Sequence, residues 1–387
     1  MTPAIVHPAV PGLQPWAKSL LLLVACPLAA ASIRLLSATE LGFVIAALAI
    51  FLFVPATRRI ATGLLGRGAA GPSPWLASLL GAALVPFVLG SDGYWFFVLS
   101  LTMIFAMMAL GLNIQLGEIG VVNLGFAGLF ALAAYASTLL TIQGVPFWLA
   151  MLGATALCWV TGALLGLCSL RTTGDYFALV TLGFGLIVYQ LVVNLRGLTR
   201  GSDGITNIPA ITVFGHSAKS PLNIGGLVLP PQANGYYLCL AVLAVLVFVA
   251  LRFRHSWIGR TWGAVRQDAV GVSCFGVNVP VFRVLTIAFG SAFAGPAGSL
   301  FAHLIGFISP DDFTLLQSIE VLAIVILGGM GNIGGILVGS AILMIMPEKL
   351  RALGDYRLMI YGAMLVVLLI YRPKGLFPDP RRIFDKA

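Results

Sequence analysis

The sequence predicts an all-α, polytopic integral membrane protein with about 10–12 transmembrane helices, and three observations predict it. Of 387 residues, 59% are hydrophobic and only 9% are charged, where a soluble domain carries about a quarter charged residues. Mean hydropathy is +1.03. Apolar runs near the ~20 residues that a helix needs to cross a bilayer recur along the whole chain.

In chain order, the runs fall near 17–35, 39–56, 74–90, 94–112, 119–142, 146–168, 175–195, 235–253, 281–305, 314–328, 333–347 and 357–371. Those from 314 to 347 are short enough to be re-entrant or broken helices. "LLLVACPLAAAS" (Leu21 to Ser32) has the look of a signal-peptide core, and "LVAC" loosely matches a lipoprotein cleavage site. Lys18 is the only Lys or Arg before it and further spans follow, so it reads as an uncleaved first membrane helix. Residues 1–73 read as an N-terminal extension with two transmembrane helices and a basic loop. Residues 74–377 form the main membrane domain, followed by a short tail at 378–387.

The net charge of +9 is mainly a topology signal, because Lys and Arg collect in loops on the cytoplasmic side. With the N-terminus inside, that side holds Lys18, Arg58, Arg59, Arg67, Arg171, Arg252, Arg254, Arg260, Arg266, Arg283, Arg372, Lys374, Arg381, Arg382 and Lys386. Arg34, Arg196, Arg200, Lys219, Lys349, Arg351 and Arg357 fall outside. The distribution argues against nucleic-acid binding. The loop at 196–234, rich in Gly, Pro and Asn, then faces outward, and its composition fits a receiver for a soluble partner as well as a plain connector.

Chemistry-bearing motifs are few. "GMGNIG" (Gly329 to Gly334) fits GxGxxG, but apolar spans flank it where a dinucleotide site needs a strand and a helix, so it reads as a glycine-rich turn that includes Gly329 and Gly331. "GALLG" (Gly162 to Gly166) and "GILVG" (Gly335 to Gly339) space small residues four apart, which suits close helix packing within the subunit. There is no GxxxxGK[ST], HExxH or GxSxG, and the five cysteines form no CxxC pair. The sequence therefore predicts a chain that is not an enzyme, with no metal site or cofactor of its own.

Polar groups inside spans are the remaining candidates. Asn113, Gln115 and Asn123 lie near the inner end of one helix pair, while Glu320 and His303 lie inside apolar runs. Such groups face a cavity or a partner, and a path-lining role and a helix-pinning role are both open, with pinning slightly favoured for Glu320. "LGEIGVVNLGFAG" (Leu116 to Gly128) echoes "LGGMGNIGGILVG" (Leu327 to Gly339), a weak sign of the duplicated halves common in transporters.

The stretch "HSWIGRTWGAVRQDAVGVSCFGVN" (His255 to Asn278) carries Arg260, Arg266 and Asp268 between two apolar spans. It predicts a cytoplasmic amphipathic helix over about 259–276, with Ala264, Val265, Ala269, Val272 and Phe275 on one side and Arg266, Gln267 and Asp268 on another. Gly276 suits its C-terminus and Pro280 opens the next span. Such a helix docks into a groove on a cytoplasmic protein, or rests on the lipid surface.

This stretch resembles the coupling helix of ABC-importer permeases, and most of the chain from about Ala106 to Phe377 is similar to the LivM family of branched-chain amino acid permeases. The similarity is carried by "GDYFALVTLGFGLIV" with "LTRGSDGITNIP", by "IGRTWGAVRQDAVGVSCFGVN", by "FAGPAGSLFAHLIGFISPDDFTLLQSIEVLAIVILGGMGNIGG" and by "YRPKGLF". The resemblance implies an inner-membrane permease subunit for leucine, isoleucine and valine, paired with a second, related permease. It also implies two ATP-binding subunits that hold ATP and Mg, and a periplasmic amino-acid-binding protein. Arg260, Arg266, Gln267, Asp268, Ala269, Gly271 and Gly276 would then form the ATPase-coupling motif, departing from the family pattern where Gln267 and Ala269 replace acidic neighbours of Asp268. Related permeases for urea and short amides give the alternative cargo; a stand-alone secondary transporter fits less well.

Overall fold

A computed structural model describes residues 93–172, 175–213, 216–217, 222–224, 227–229, 231–349, 356, 359, 362, 366, 370 and 375–377. The spans expected near 17–35, 39–56 and 74–90, the extension at 1–73 and the tail at 378–387 lie outside the described residues.

Continuous apolar sequence without internal breakers gives long helices. α1 (Gly93–Asn113) continues as a π-helical turn (Ile114–Ile119), and after an extended link the chain enters α2 (Phe126–Ile142) and α3 (Phe147–Cys168). α4 (Asp175–Asn194) leads through the single turn α5 (Arg196–Thr199) and a 3₁₀ turn at Gly201–Asp203 into five short strands, β1 (Ile205–Thr206), β2 (Thr212–Val213), β3 (His216–Ser217), β4 (Leu222–Ile224) and β5 (Leu227–Leu229). α6 (Gln232–His255) is followed by two short helices, α7 (Trp257–Gln267) and α8 (Ala269–Cys274). α9 (Val279–Ala292) and α10 (Ala294–Ile305) come next, then β6 (Phe307–Ile308), a 3₁₀ turn at Pro310–Phe313, α11 (Leu315–Gly328) and α12 (Ile333–Lys349).

Among the described residues, five helical stretches are long and apolar enough to cross a membrane, at Gly93–Ile119, Phe147–Cys168, Tyr176–Asn194, Gln232–His255 and Val279–Ile305. The protein is an all-α, multi-pass membrane protein. The apolar run expected at 119–142 begins later than its hydropathy suggests, because Ile119 closes the π turn and Gly120 at φ 81° turns the chain away. The run at 281–305 is one span in two pieces, α9 and α10, joined at Phe293. For the run at 357–371, residues 356, 359, 362, 366 and 370 are helical.

α1 is the central post: Phe96, Ile104, Met107, Met108 and Leu112 are fully buried. α3 and α4 instead carry exposed apolar stripes, including Leu149, Leu152, Leu164, Leu179, Ile187 and Leu191, the face that meets lipid or another apolar surface. Glycines set the close contacts. In "GALLG", Gly162 faces Ser291, and a Cβ at Gly166 would stand 2.9 Å from Val284 Cα, so this motif packs α3 on α9 as expected. In "GILVG", Gly335 faces the Gly328 carbonyl, bringing α12 against α11.

The turn at 196–206 lies at one end of the bundle. β1 pairs antiparallel with β6, Ile205 opposite Ile308, tying the end of α4 to the end of α10. The 256–278 segment gathers at the other end, with the π turn and the α11–α12 turn.

Candidate functional site

Where α6 ends, Ser256 turns the chain. Its hydroxyl donates to the Phe253 carbonyl (2.6 Å), and its oxygen caps α7 by accepting from Gly259 N. Only glycine fits at 259, since a Cβ there would stand 2.5 Å from the Phe253 carbonyl oxygen. The tight corner folds α7 back on the bundle. Gly259, Trp262 and Val265 form its buried stripe, and Trp262 stacks on Phe253 with ring centroids 6.5 Å apart.

The single amphipathic helix expected over 259–276 is two helices. Asp268 leaves the helical region (φ −150°, ψ 96°) and its carboxylate accepts from Val270 N (3.0 Å) and Gly271 N (2.9 Å), so it caps α8 and breaks α7 in one act. Gly271 leaves room for that carboxylate; a Cβ there would come within 2.6 Å of it. Gly276 closes the segment at φ 81°, and Asn278 caps α9 with Pro280 in its first turn.

The break redistributes the faces. Val265 is buried, whereas Phe275, expected on the same side, is 89% exposed, with Val270 at 74%. Arg260, Gln267 and Asp268 are exposed as well, and Ala269 is half-buried. The segment thus presents two exposed apolar side chains, Val270 on the short capped helix α8 and Phe275 at its C-cap. Arg266 points the other way, donating to the carbonyls of Leu116 (2.9 Å) and Gly117 in the π turn. Arg254 adds an ion pair with Glu118, Nε to Oε1 at 3.9 Å.

Asn113 and Asn123 belong to a buried polar junction at the same end. Asn113 Oδ1 accepts from Gly331 N at 2.7 Å. Asn123 Nδ2 donates to Gln115 Oε1 at 2.9 Å, and its own Oδ1 accepts from Gly125 N at 2.8 Å at the start of α2. Gln115 Nε2 reaches the Ile287 carbonyl (2.9 Å) and Ser291 Oγ (3.2 Å) on α9. "GMGNIG" is a turn between α11 and α12, as its flanks predict, with Gly329 at φ 103° and Gly331 at φ 86°. Residues 376 and 377 dock on it: Leu376 N donates to the Leu327 carbonyl at 2.7 Å and Phe377 N to that of Gly328 at 3.3 Å.

Two candidates lie elsewhere. His303 is buried, bonded to the Ser299 carbonyl (2.8 Å) and Thr141 Oγ1 (3.1 Å), and pins α10 to α2. Glu320 sits half-buried on α11, away from the junction. Sequence reasoning missed Thr181, Ser291 and Ser318, whose hydroxyls serve Leu124 N, Gln115 Nε2 and Ala127 N. A small apolar cavity opens between α2, α4 and α11, walled by Ala127, Leu182, Leu186 and Leu315, with Tyr189 and Ser318 on its rim.

Residues 94–369 match the family described as the permease component of branched-chain amino acid transport systems. The chain is 36% identical over 297 residues to the high-affinity branched-chain amino acid transport system permease protein LivM of Escherichia coli K12, covering 73% of this chain and 70% of that one. Identity and coverage are the same for LivM of Salmonella typhimurium LT2. A probable branched-chain amino acid transport permease protein LivM of Methanocaldococcus jannaschii is 26% identical over 249 residues, or 60% of this chain and 68% of the relative. No solved structure matches the chain.

Proposed function

The chain belongs to the family of branched-chain amino acid permeases of the LivM type, and we propose that it is the membrane-spanning subunit of an ATP-driven importer for leucine, isoleucine and valine. In this reading it pairs with a second, related permease in the bacterial inner membrane. Two ATPase subunits hold ATP and Mg below it, and a periplasmic binding protein delivers the amino acid above it.

The observation that carries the coupling role is the exposure of Val270 on the capped helix α8 and of Phe275 at its C-cap. A large aromatic left 89% exposed suits a groove on a soluble partner, where an aromatic knob contributes most of the affinity. Asp268 holds that helix in place through its cap. The apolar cavity between α2, α4 and α11 supports the choice of cargo, because branched aliphatic side chains cross apolar walls without losing a hydrogen bond.

The test is uptake of labelled leucine into proteoliposomes holding the chain with its partner permease, ATPases and binding protein, beside Phe275→Asp and Asp268→Arg. Uptake that needs ATP, and that both variants abolish together with retention of the ATPases, is the expected result. Entry of urea or a short amide in place of leucine refutes the cargo. Uptake without ATP or without the ATPases refutes the coupling role.

A further inference from the structure

α1 does not end as an α-helix. Its last turn, Ile114–Ile119, is π-helical and closes at Gly120, with Val121 N donating to the Gln115 carbonyl at 3.3 Å. A π turn holds one residue more than the surrounding helix, and the carbonyls at any helix end lack partners in the helix itself. Arg266 of α7 donates to the carbonyls of Leu116 and Gly117, a cation at the negative end of a helix. Its guanidinium lies along Gly120, 3.8 Å from where a Cβ would stand.

From the other face of the turn, contacts fan out. Gln115 reaches α9 through the Ile287 carbonyl and Ser291, and reaches the entry to α2 through Asn123. Asn113, one residue before the turn, holds Gly331 between α11 and α12. Asn113, Gln115 and Asn123 are 3%, 0% and 0% exposed. Buried networks of this kind hold their members rigidly, and packed interfaces switch between discrete arrangements rather than deform continuously.

We infer that Arg266 is a positioning residue that passes movement of the 256–278 segment into the π turn, and that the turn distributes it to α2, α9, α11 and α12. The inference rests on the ATP-driven reading above. A pull on the Leu116 and Gly117 carbonyls displaces the turn that carries Gln115, so the bonds to α9 and α2 shift together. Arg266 thereby faces inward as the receiver's handle, while Phe275 and Val270 face outward to the driver.

The experiment is the ratio of ATP hydrolysed to leucine moved in the complete reconstituted complex, for wild type, Arg266→Ala and Arg266→Lys. Wild type must first show uptake that depends on ATP; failure there refutes the transport reading and leaves no ratio to compare. Given that, Arg266→Ala is expected to retain the ATPases and their hydrolysis while the ratio rises at least about fivefold, the low end of site-to-site coupling. Arg266→Lys, which keeps a cation but not the fork that spans two carbonyls, is expected to fall between. If Arg266→Ala does not assemble, Arg266→Lys decides, with a raised ratio in an assembled complex supporting the inference. An unchanged ratio, even with uptake and hydrolysis lowered together, makes Arg266 a structural cap and overturns it.

Discussion

Asn113, Gln115 and Asn123 are amide side chains held in a region where an unpaired polar group costs several kcal/mol, on the order of a lost hydrogen bond or more. Each is paired: Asn113 with Gly331 N at 2.7 Å, Asn123 with Gln115 and Gly125. Asn113→Ala removes one partner and leaves the buried Gly331 N–H orphaned, so it should cost about 1–3 kcal/mol of stability. Thermal unfolding of the purified chain in detergent would read this as a lowered Tm; an unchanged Tm would mean the bond contributes nothing. The presence of these residues was visible in the sequence, because amides stand out in an apolar run. Their partners were not. Ser291, Thr181 and Ser318 are small hydroxyl residues that commonly bond to their own helix, as Thr181 does to the Ala178 carbonyl, and nothing in their spacing marks a second bond across helices.

Among the elements, the helix boundaries were legible wherever a glycine, proline or capping residue punctuates the apolar pattern. α3 starts after Pro146, α9 after Asn278 and α12 after the glycine turn. The break at Asp268 was not legible from hydrophobic spacing alone, since Ala264, Val265, Ala269 and Val272 keep a helical period straight through it. An Asp followed three residues later by glycine carries the missed signal: a carboxylate that caps forward ends the helix behind it. Helix contact through glycine gives a paired prediction. A Cβ at Gly162 would overlap Ser291 on α9, whereas one at Gly183 meets nothing within 4 Å. Gly162→Ala should therefore destabilise the isolated chain by about 1–3 kcal/mol through overpacking. Gly183→Ala should be neutral or stabilising by roughly 0.5–1 kcal/mol, because it removes only a helix-interior glycine. Comparing the two melting temperatures checks both, and equal losses would show that the α3–α9 contact is not the constraint.

At the scale of the whole molecule, the echo between Leu116–Gly128 and Leu327–Gly339 acquires a structural meaning. In each, a helix ends at a glycine with positive φ, Gly120 at 81° and Gly329 at 103°. In each, an asparagine then accepts from backbone N–H groups at the start of the next helix, Asn123 from Gly125 and Asn332 from Gly334 and Gly335. The two turns also meet, through Asn113 and Gly331, at the end of the bundle where the 256–278 segment lies. The proposed cytoplasmic side of this end rests on charge: it carries Arg252, Arg254, Arg260, Arg266 and Arg283, and such residues resist translocation. Cys274 sits there exposed, while Cys158 and Cys239 are buried. In a variant with Cys26 and Cys168 changed to Ser, a membrane-impermeant maleimide should label Cys274 in inside-out vesicles and not in intact cells. Added ATPase subunits should slow that labelling, because Cys274 is next to the Phe275 knob proposed to dock on them. Labelling from intact cells would invert the topology and remove the cytoplasmic partner altogether. Labelling from inside that ATPases leave unchanged would keep the topology and move the docking surface away from α8.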